Sequence, residues 1–165
     1  MFSSDIDFSV LEERIGYVFK DEEVLRTALR HKSALEGRDG SCNDKLEWLG
    51  DAVVGFFVAD YLFHHYDKPR SWLSLAKSKL VSEECLAYLA RKIELAKFIE
   101  LGKGEERSGG REKDSILASS LEALAGAVFV DSSSYEETRK VLKLIFCEAG
   151  DIGSLNLSVT YKGLL

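Results

Sequence analysis

The chain has 165 residues, of which 45% are hydrophobic and 30% are charged, and its formal net charge at pH 7 is −6. This composition is typical of one globular domain that is large enough to bury a core, and it excludes a disordered chain. The acidic balance excludes a uniformly basic nucleic-acid-binding surface, but it leaves open an enzyme that reaches phosphates through divalent cations and a local basic patch.

The first third of the chain reads as helices joined by short loops. A single proline and few β-branched runs favour helix over sheet. The spacing of apolar residues predicts short helices over Asp7–Ile15 and Glu22–Leu29, followed by a polar loop over Glu36–Ser41. A long, mostly apolar helix is predicted over Asn43–Tyr66, and it ends before Pro69.

The rest of the chain continues the helical pattern. A Ser-x-x-Glu capping box at Ser134 and Glu137 predicts the start of the last helix, which runs to about Phe146. Before it, amphipathic helices are predicted over Trp72–Leu80 and Glu83–Lys92. A glycine- and charge-rich loop follows over Leu101–Lys113, and a second apolar helix over Asp114–Val130. The sequence therefore predicts an all-α domain of seven to nine helices, two of them buried and central.

The first central helix carries a stripe of carboxylates. Asp44, Glu47 and Asp51 are spaced at i, i+3 and i+7, which places them on one side of the helix. Because burial of an unpaired carboxylate costs several kcal/mol, we expect a cation, a bound proton or a shared hydrogen-bond network at this stripe. The acids Glu47, Asp51 and Asp60 also interrupt the apolar run, so the helix does not read as a membrane span.

The second central helix has one charged residue in its interior. Glu122 is the only charge between Asp114 and Asp131. If the two helices face each other, Glu47 and Asp51 lie about 6 Å apart along one axis, with Glu122 opposite. Carboxylate oxygens suit Mg²⁺ or Mn²⁺ better than Zn²⁺. The alternative is a network in which the acids pair with lysine or arginine near the helix ends.

Four blocks of the sequence resemble the ribonuclease III family. Asn43–Asp51 reads N-D-K-L-E-W-L-G-D and resembles the family signature N-E-R-L-E-F-L-G-D. The other three blocks are the H-x-S segment that begins at His31, the glycine-rich connector Leu101–Arg111, and Asp114–Asp131, which resembles the family's second motif. The blocks occur in the family's order and cover most of the chain, so we expect the helical fold of a ribonuclease III endonuclease domain.

The resemblance implies a function and a set of catalytic residues. It implies a homodimeric endoribonuclease that uses Mg²⁺, or Mn²⁺ as a substitute, to cut double-stranded RNA such as rRNA and mRNA precursors. Its products would carry 5′-phosphate and 3′-hydroxyl ends with short 3′ overhangs. Glu47, Asp51 and Glu122 match three of the family's four metal-site acids. The fourth position is Ser119, whose hydroxyl is expected to bind the ion directly or through water but contributes no formal charge. Asp44 matches a position associated with contacts to substrate or to the metal ligands.

The resemblance also suggests contacts with partners. Trp48 stands where the family has an aromatic residue that enters a socket on the other subunit, although a plain core position would also suit it. The connector before the Glu122 helix holds four candidates for RNA binding, Lys103, Arg107, Arg111 and Lys113. The alternative is that they are ordinary solvated cations.

The replacement of an acid by Ser119 keeps a second hypothesis open. In that alternative the chain is a dimer with impaired chemistry that acts as an RNA-binding or structural module. We place the catalytic domain at residues 1–149 and a tail at 150–165, where Tyr161–Leu165 resembles the start of a double-stranded-RNA-binding domain. The three cysteines form no C-x-x-C pair and no secretory segment opens the chain, so a cytoplasmic location without membrane contact is expected.

Overall fold

The fold is known from a computed structural model, which describes the backbone of residues 6–149. The expected tail at 150–165 lies outside the described residues. Within them the chain forms eight α-helices and no strand, which confirms the all-α prediction and its count of seven to nine helices. The helices are α1 (Ser9–Ile15), α2 (Glu22–Ala28), α3 (Asp44–His65), α4 (Arg70–Leu80), α5 (Glu83–Lys92), α6 (Lys103–Arg107), α7 (Asp114–Ser132) and α8 (Tyr135–Lys143).

The connector before α7 differs from the predicted loop. It contains the five-residue helix α6 and a short 3₁₀ turn at Gly110–Glu112. The backbone amide of Gly102 donates a hydrogen bond to Ser33 Oγ at 2.9 Å, which fixes the start of α6 against the 3₁₀ turn at Lys32–Ala34. Tertiary contact therefore orders a segment whose glycines and charges, taken alone, predict a loop.

The capping box at the start of α8 is half formed. The hydroxyl of Ser134 accepts a hydrogen bond from the backbone amide of Glu137 at 3.2 Å, as predicted. The reciprocal bond is absent among the described contacts, because the Glu137 carboxylate pairs with Lys140 and the Ser134 amide donates to Ser132 Oγ.

The two central helices are buried to different extents. α7 packs against α2, α3, α5 and α8 and buries most of its length. α3 buries one side through residues such as Val54, Phe57 and Leu62. Its other side exposes Trp48, Phe56 and Phe63, which are 79%, 58% and 72% accessible. Because α7 covers only one side of α3, the prediction that both central helices are buried is wrong for the other side of α3.

α3 and α7 cross in direct backbone contact. A Cβ built on Gly50 would collide with the backbone carbonyl oxygen of Glu122 and lie 3.1 Å from the amide nitrogen of Gly126. A Cβ built on Gly126 would in turn collide with the carbonyl oxygen of Leu46. Glycine is therefore required at both positions for the helices to approach this closely. The crossing fixes which side chains of the two helices face each other.

Of the described helices, only α7 has the length and apolar composition of a membrane span. Within its most apolar window, 61% of the residues are buried inside the protein, as expected for the central helix of a folded core.

Candidate active site

The helix crossing brings the predicted acids to one depression. Glu47 and Asp51 flank Gly50 on α3, and Glu122 lies one turn before Gly126 on α7. The three side chains line an open depression of about 400 Å³ together with Asp44 and Trp48. The structure thus brings together all three predicted catalytic acids.

The depression is less enclosed than the sequence suggested. Glu47 and Glu122 are half-buried, whereas Asp44 and Asp51 are exposed. Burial, followed by the charges of Asp51 and Glu47, raises the pKa of Glu122 to about 7. Near neutral pH Glu122 is therefore only partly ionised, because a third negative charge beside two others in a partly dry site is unfavourable.

The described part of the chain offers these acids no ion-pair partner. Among the described residues, Asp44, Glu47, Asp51 and Glu122 form no ion pair with lysine, arginine or histidine. The alternative of acids paired with basic residues therefore does not describe this site. Within residues 6–149 there is also no tight group of three or more His, Cys, Asp or Glu side chains that would hold an ion as it stands. Metal binding by these residues stays a prediction.

Ser119 lies beside the acids on the Glu47 side. Its hydroxyl donates a hydrogen bond to Glu47 Oε1 at 2.9 Å. Ser119 lines a second cavity, of about 290 Å³, which it shares with Asp44 and Glu47. The other residues that line this cavity are His31, Lys32, Cys42, Asn43, Ser115 and Ile116. Glu47 therefore borders both cavities, whereas Asp51 and Glu122 border only the first.

The H-x-S segment has a structural role at the edge of this second cavity. The Ser33 hydroxyl lies 2.7 Å from His31 Nδ1, and the Ser33 backbone amide donates to the same nitrogen. Because Ser33 Oγ also accepts from Gly102, the segment ties the loop before α3 to the connector before α7.

The four predicted RNA-binding cations fall into two pairs. Arg111 donates to the carbonyl oxygens of Ile99, at 2.8 Å, and of Ala96. It also pairs with Glu106, while Lys113 pairs with Glu105. Lys103 and Arg107 are exposed on α6 and form no ion pair with any described residue. Lys103 and Arg107 are thus available to bind a ligand, whereas Arg111 already stabilises the connector.

The residues that sequence reasoning missed are the glycines of the crossing. A glycine in the interior of a helix costs about 1 kcal/mol relative to alanine, so Gly50 and Gly126 inside the two most apolar helices were a readable signal of close packing.

Comparison with known proteins agrees with the geometry. A family described as Ribonuclease-III-like matches residues 21–148. The chain is 44% identical over 144 residues to Ribonuclease 3 of Caldanaerobacter subterraneus, a match that covers 86% of this chain and 63% of the relative. It is 40% identical over 158 residues to Ribonuclease 3 of Pseudomonas fluorescens, covering 95% of this chain and 66% of the relative.

A solved structure is also similar to this chain in fold and in sequence. The nuclease domain of ribonuclease III from Campylobacter jejuni superposes with a TM-score of 0.79 at 37% sequence identity, covering 85% of this chain and 96% of that one. The curated relatives are longer than this chain, which spans between 56% and 66% of the length of those it matches. The matched region contains both central helices and all three acids. The chain therefore belongs to the ribonuclease III family.

Proposed function

We propose that the chain is the nuclease part of a metal-dependent endoribonuclease that hydrolyses double-stranded RNA. Water adds to the phosphorus of a phosphodiester and the bond from phosphorus to O3′ breaks, which leaves a 5′-phosphate and a 3′-hydroxyl. Processing of rRNA and mRNA precursors in the cytoplasm would suit this activity. The observation that supports the proposal most strongly is the Gly50–Gly126 crossing, which brings Glu47 and Asp51 opposite Glu122.

The charge of the depression fits a divalent cation. Glu47, Asp51 and Glu122 have no basic partner among the described side chains, and mutual repulsion contributes to the raised pKa of Glu122. Carboxylate oxygens are the ligands that Mg²⁺ and Mn²⁺ prefer. A divalent ion held by these three residues would lower the pKa of a bound water and neutralise charge on the leaving oxygen. We expect side-chain rotamer changes to draw the carboxylates together on binding.

Asp44 at the depression and two exposed cations on α6 would contact the RNA. Asp44 lies at the rim of both cavities and is placed to contact substrate or the other acids. Lys103 and Arg107 are exposed cations on α6 that can pair with backbone phosphates. An A-form duplex is recognised mainly through its shape, its 2′-hydroxyls and its phosphates, so sequence preference should be weak.

An exposed apolar stripe on α3 suits a homodimer. The α3 stripe consists of Trp48, Ala52, Phe56, Ala59 and Phe63, which share one side of the helix and are all exposed. A continuous apolar surface of this kind marks an interaction site, and a second copy of the chain can supply a matching one. The Campylobacter jejuni nuclease domain is described as having a region involved in dimer formation. Two subunits that each cut one strand would produce the staggered 3′ overhangs.

Cleavage of a perfect RNA duplex tests the proposal. We expect the protein to cut the duplex with Mg²⁺ or Mn²⁺, to leave single-stranded RNA intact, and to lose activity with EDTA. Glu122→Gln should abolish cleavage, whereas Glu136→Gln, a change at an exposed acid on α8, should not. Cutting that persists in EDTA, or in the Glu122→Gln variant, would refute the proposed chemistry.

The second candidate is a dimer with impaired chemistry that binds RNA or supports an assembly. Ser119 favours it, because a neutral hydroxyl stands where the family resemblance leads us to expect a fourth carboxylate. RNA binding and dimerisation without cleavage under either metal would select this alternative. Cleavage that depends on Glu122 would select the nuclease.

A further inference from the structure

We infer that Ser119 is a positioning residue for Glu47 rather than a metal ligand, and that the site therefore takes one divalent ion per subunit. This inference rests on the proposed function, because it assumes that the acids bind a metal ion. It concerns the position at which the family resemblance leads us to expect a fourth carboxylate.

The contact between the two side chains gives the direction of the hydrogen bond. Ser119 Oγ lies 2.9 Å from Glu47 Oε1. An ionised carboxylate only accepts hydrogen bonds, so the serine hydroxyl is the donor. A hydrogen bond to a charged acceptor is stronger than a neutral one, and this bond links the two helices across their crossing. It therefore fixes the rotamer of Glu47 relative to α7.

The two cavities separate Ser119 from the other acids. Asp51 and Glu122 line the first depression, and Ser119 lines only the second cavity. Glu47 Oε1 accepts the serine hydroxyl, and no hydrogen bond among the described residues reaches Oε2, so Oε2 is the oxygen more open to an ion shared with Asp51 and Glu122. Ser119 thus acts on the ion through Glu47.

The second cavity is less suited to a cation than the first depression. Its lining holds the carboxylates of Asp44 and Glu47 together with the positive charge of Lys32, and the Ser119 hydroxyl adds no formal charge. Because Lys32 offsets one of the two carboxylates, a second divalent ion is held less strongly here than an ion among the acids of the first depression. A carboxylate at position 119 would add one negative charge to the lining of the second cavity, next to Glu47.

Counting bound Mn²⁺ by electron paramagnetic resonance tests the inference without a catalytic readout. The wild-type chain should bind one ion per subunit. Ser119→Ala should still bind one ion, but about tenfold more weakly, which is the lower end of the usual effect of losing a hydrogen bond to a ligating side chain. Ser119→Thr keeps the hydroxyl and should restore the affinity. Ser119→Asp should bind a second ion.

The controls separate this inference from the proposed function. Ser115→Ala removes another hydroxyl from the same cavity and helix, and it should leave Mn²⁺ binding unchanged. Two ions bound to the wild-type chain, or wild-type affinity in Ser119→Ala, would overturn the positioning role while leaving the metal-dependent nuclease intact. Failure of the wild-type chain to bind Mn²⁺ at all would overturn both. Urea unfolding of each variant establishes that the fold is retained.

Discussion

Gly50 and Gly126 meet where α3 crosses α7, and a Cβ on Gly50 would lie 3.1 Å from the amide nitrogen of Gly126. The same Cβ would collide with the backbone carbonyl of Glu122. The backbone that carries the α7 acid is thus in van der Waals contact with the α3 turn that carries Glu47 and Asp51. Folding of the core and assembly of the acidic depression depend on the same two glycines.

Gly50→Ala is expected to destabilise the fold by at least about 3 kcal/mol, because the added methyl group collides with rigid backbone rather than with a movable side chain. Gly104→Ala is the matched control, since nothing lies within 4 Å of a Cβ built at that exposed position of α6. Urea unfolding curves measure both changes. Equal stability of the two variants would contradict the proposed close crossing.

The raised pKa of Glu122 predicts a pH-dependent effect of Glu122→Gln on stability. The folded-state pKa, about 7, lies above the unfolded value of 4.5. Between these two values the folded chain keeps a proton that the unfolded chain has released. The stability of wild type therefore falls as pH rises from 4.5, and the loss is complete once pH has passed through 7. Without metal, the variant should be more stable than wild type at pH 8, by about 1 kcal/mol after allowance for solvent screening. The difference should vanish near pH 4.

Thermal unfolding in EDTA across this pH range measures the effect. Glu136→Gln is the control with the opposite sign, because hydrogen bonding to Arg139 lowers the pKa of Glu136. A Glu122→Gln variant that is less stable than wild type at pH 8 would show that the acids do not repel one another.

The α3 stripe predicts that Phe56→Glu converts a dimer to a monomer. A charge in the middle of the stripe cannot be buried without a partner, so association should weaken by at least about a hundredfold. Val18→Glu places the same charge on an equally exposed apolar residue away from α3 and should leave the dimer intact. Analytical ultracentrifugation distinguishes the two. Dimers that persist in Phe56→Glu would place the interface elsewhere.

Among the connector cations, Lys103 and Arg107 should contribute to RNA binding and Arg111 to the stability of the fold. Replacement of both Lys103 and Arg107 by alanine should weaken RNA binding and reduce its salt dependence, with little effect on stability. Arg111→Ala should destabilise the fold by about 1 to 3 kcal/mol, because the carbonyl oxygens of Ala96 and Ile99 lose their charged donor. Fluorescence anisotropy with a labelled duplex and urea unfolding report the two effects. The assignment fails if Arg111→Ala loses RNA affinity at full stability.

The helices and the acids could be read from the sequence because both depend on local spacing. The predicted bounds of α5, Glu83 and Lys92, are those of the structure. The i, i+3, i+7 spacing likewise places the α3 acids on one side of their helix. The partial exposure of α3 could not be read, because hydrophobicity does not reveal how many neighbours a helix has. Trp48 and Phe56 are as apolar as core residues and yet lie on the surface.

Tertiary contacts explain the other differences. α6 forms in a glycine-rich segment because Ser33, about seventy residues earlier, anchors its start. The Ser119–Glu47 hydrogen bond likewise joins residues 72 positions apart, and Arg111 bonds to a carbonyl oxygen 12 positions earlier, beyond the reach of helical spacing. No local pattern distinguishes such a paired side chain from a free one.

We propose that Glu47, Asp51 and Glu122 bind one divalent cation at the α3–α7 crossing. Anomalous diffraction from crystals soaked in Mn²⁺ measures this directly. We expect one peak per subunit, at about 2.0 to 2.2 Å from an oxygen of each of the three carboxylates, as is usual for a small hard ion. A structure at saturating Mn²⁺ with no peak between these side chains, or with the ion held elsewhere, would contradict it.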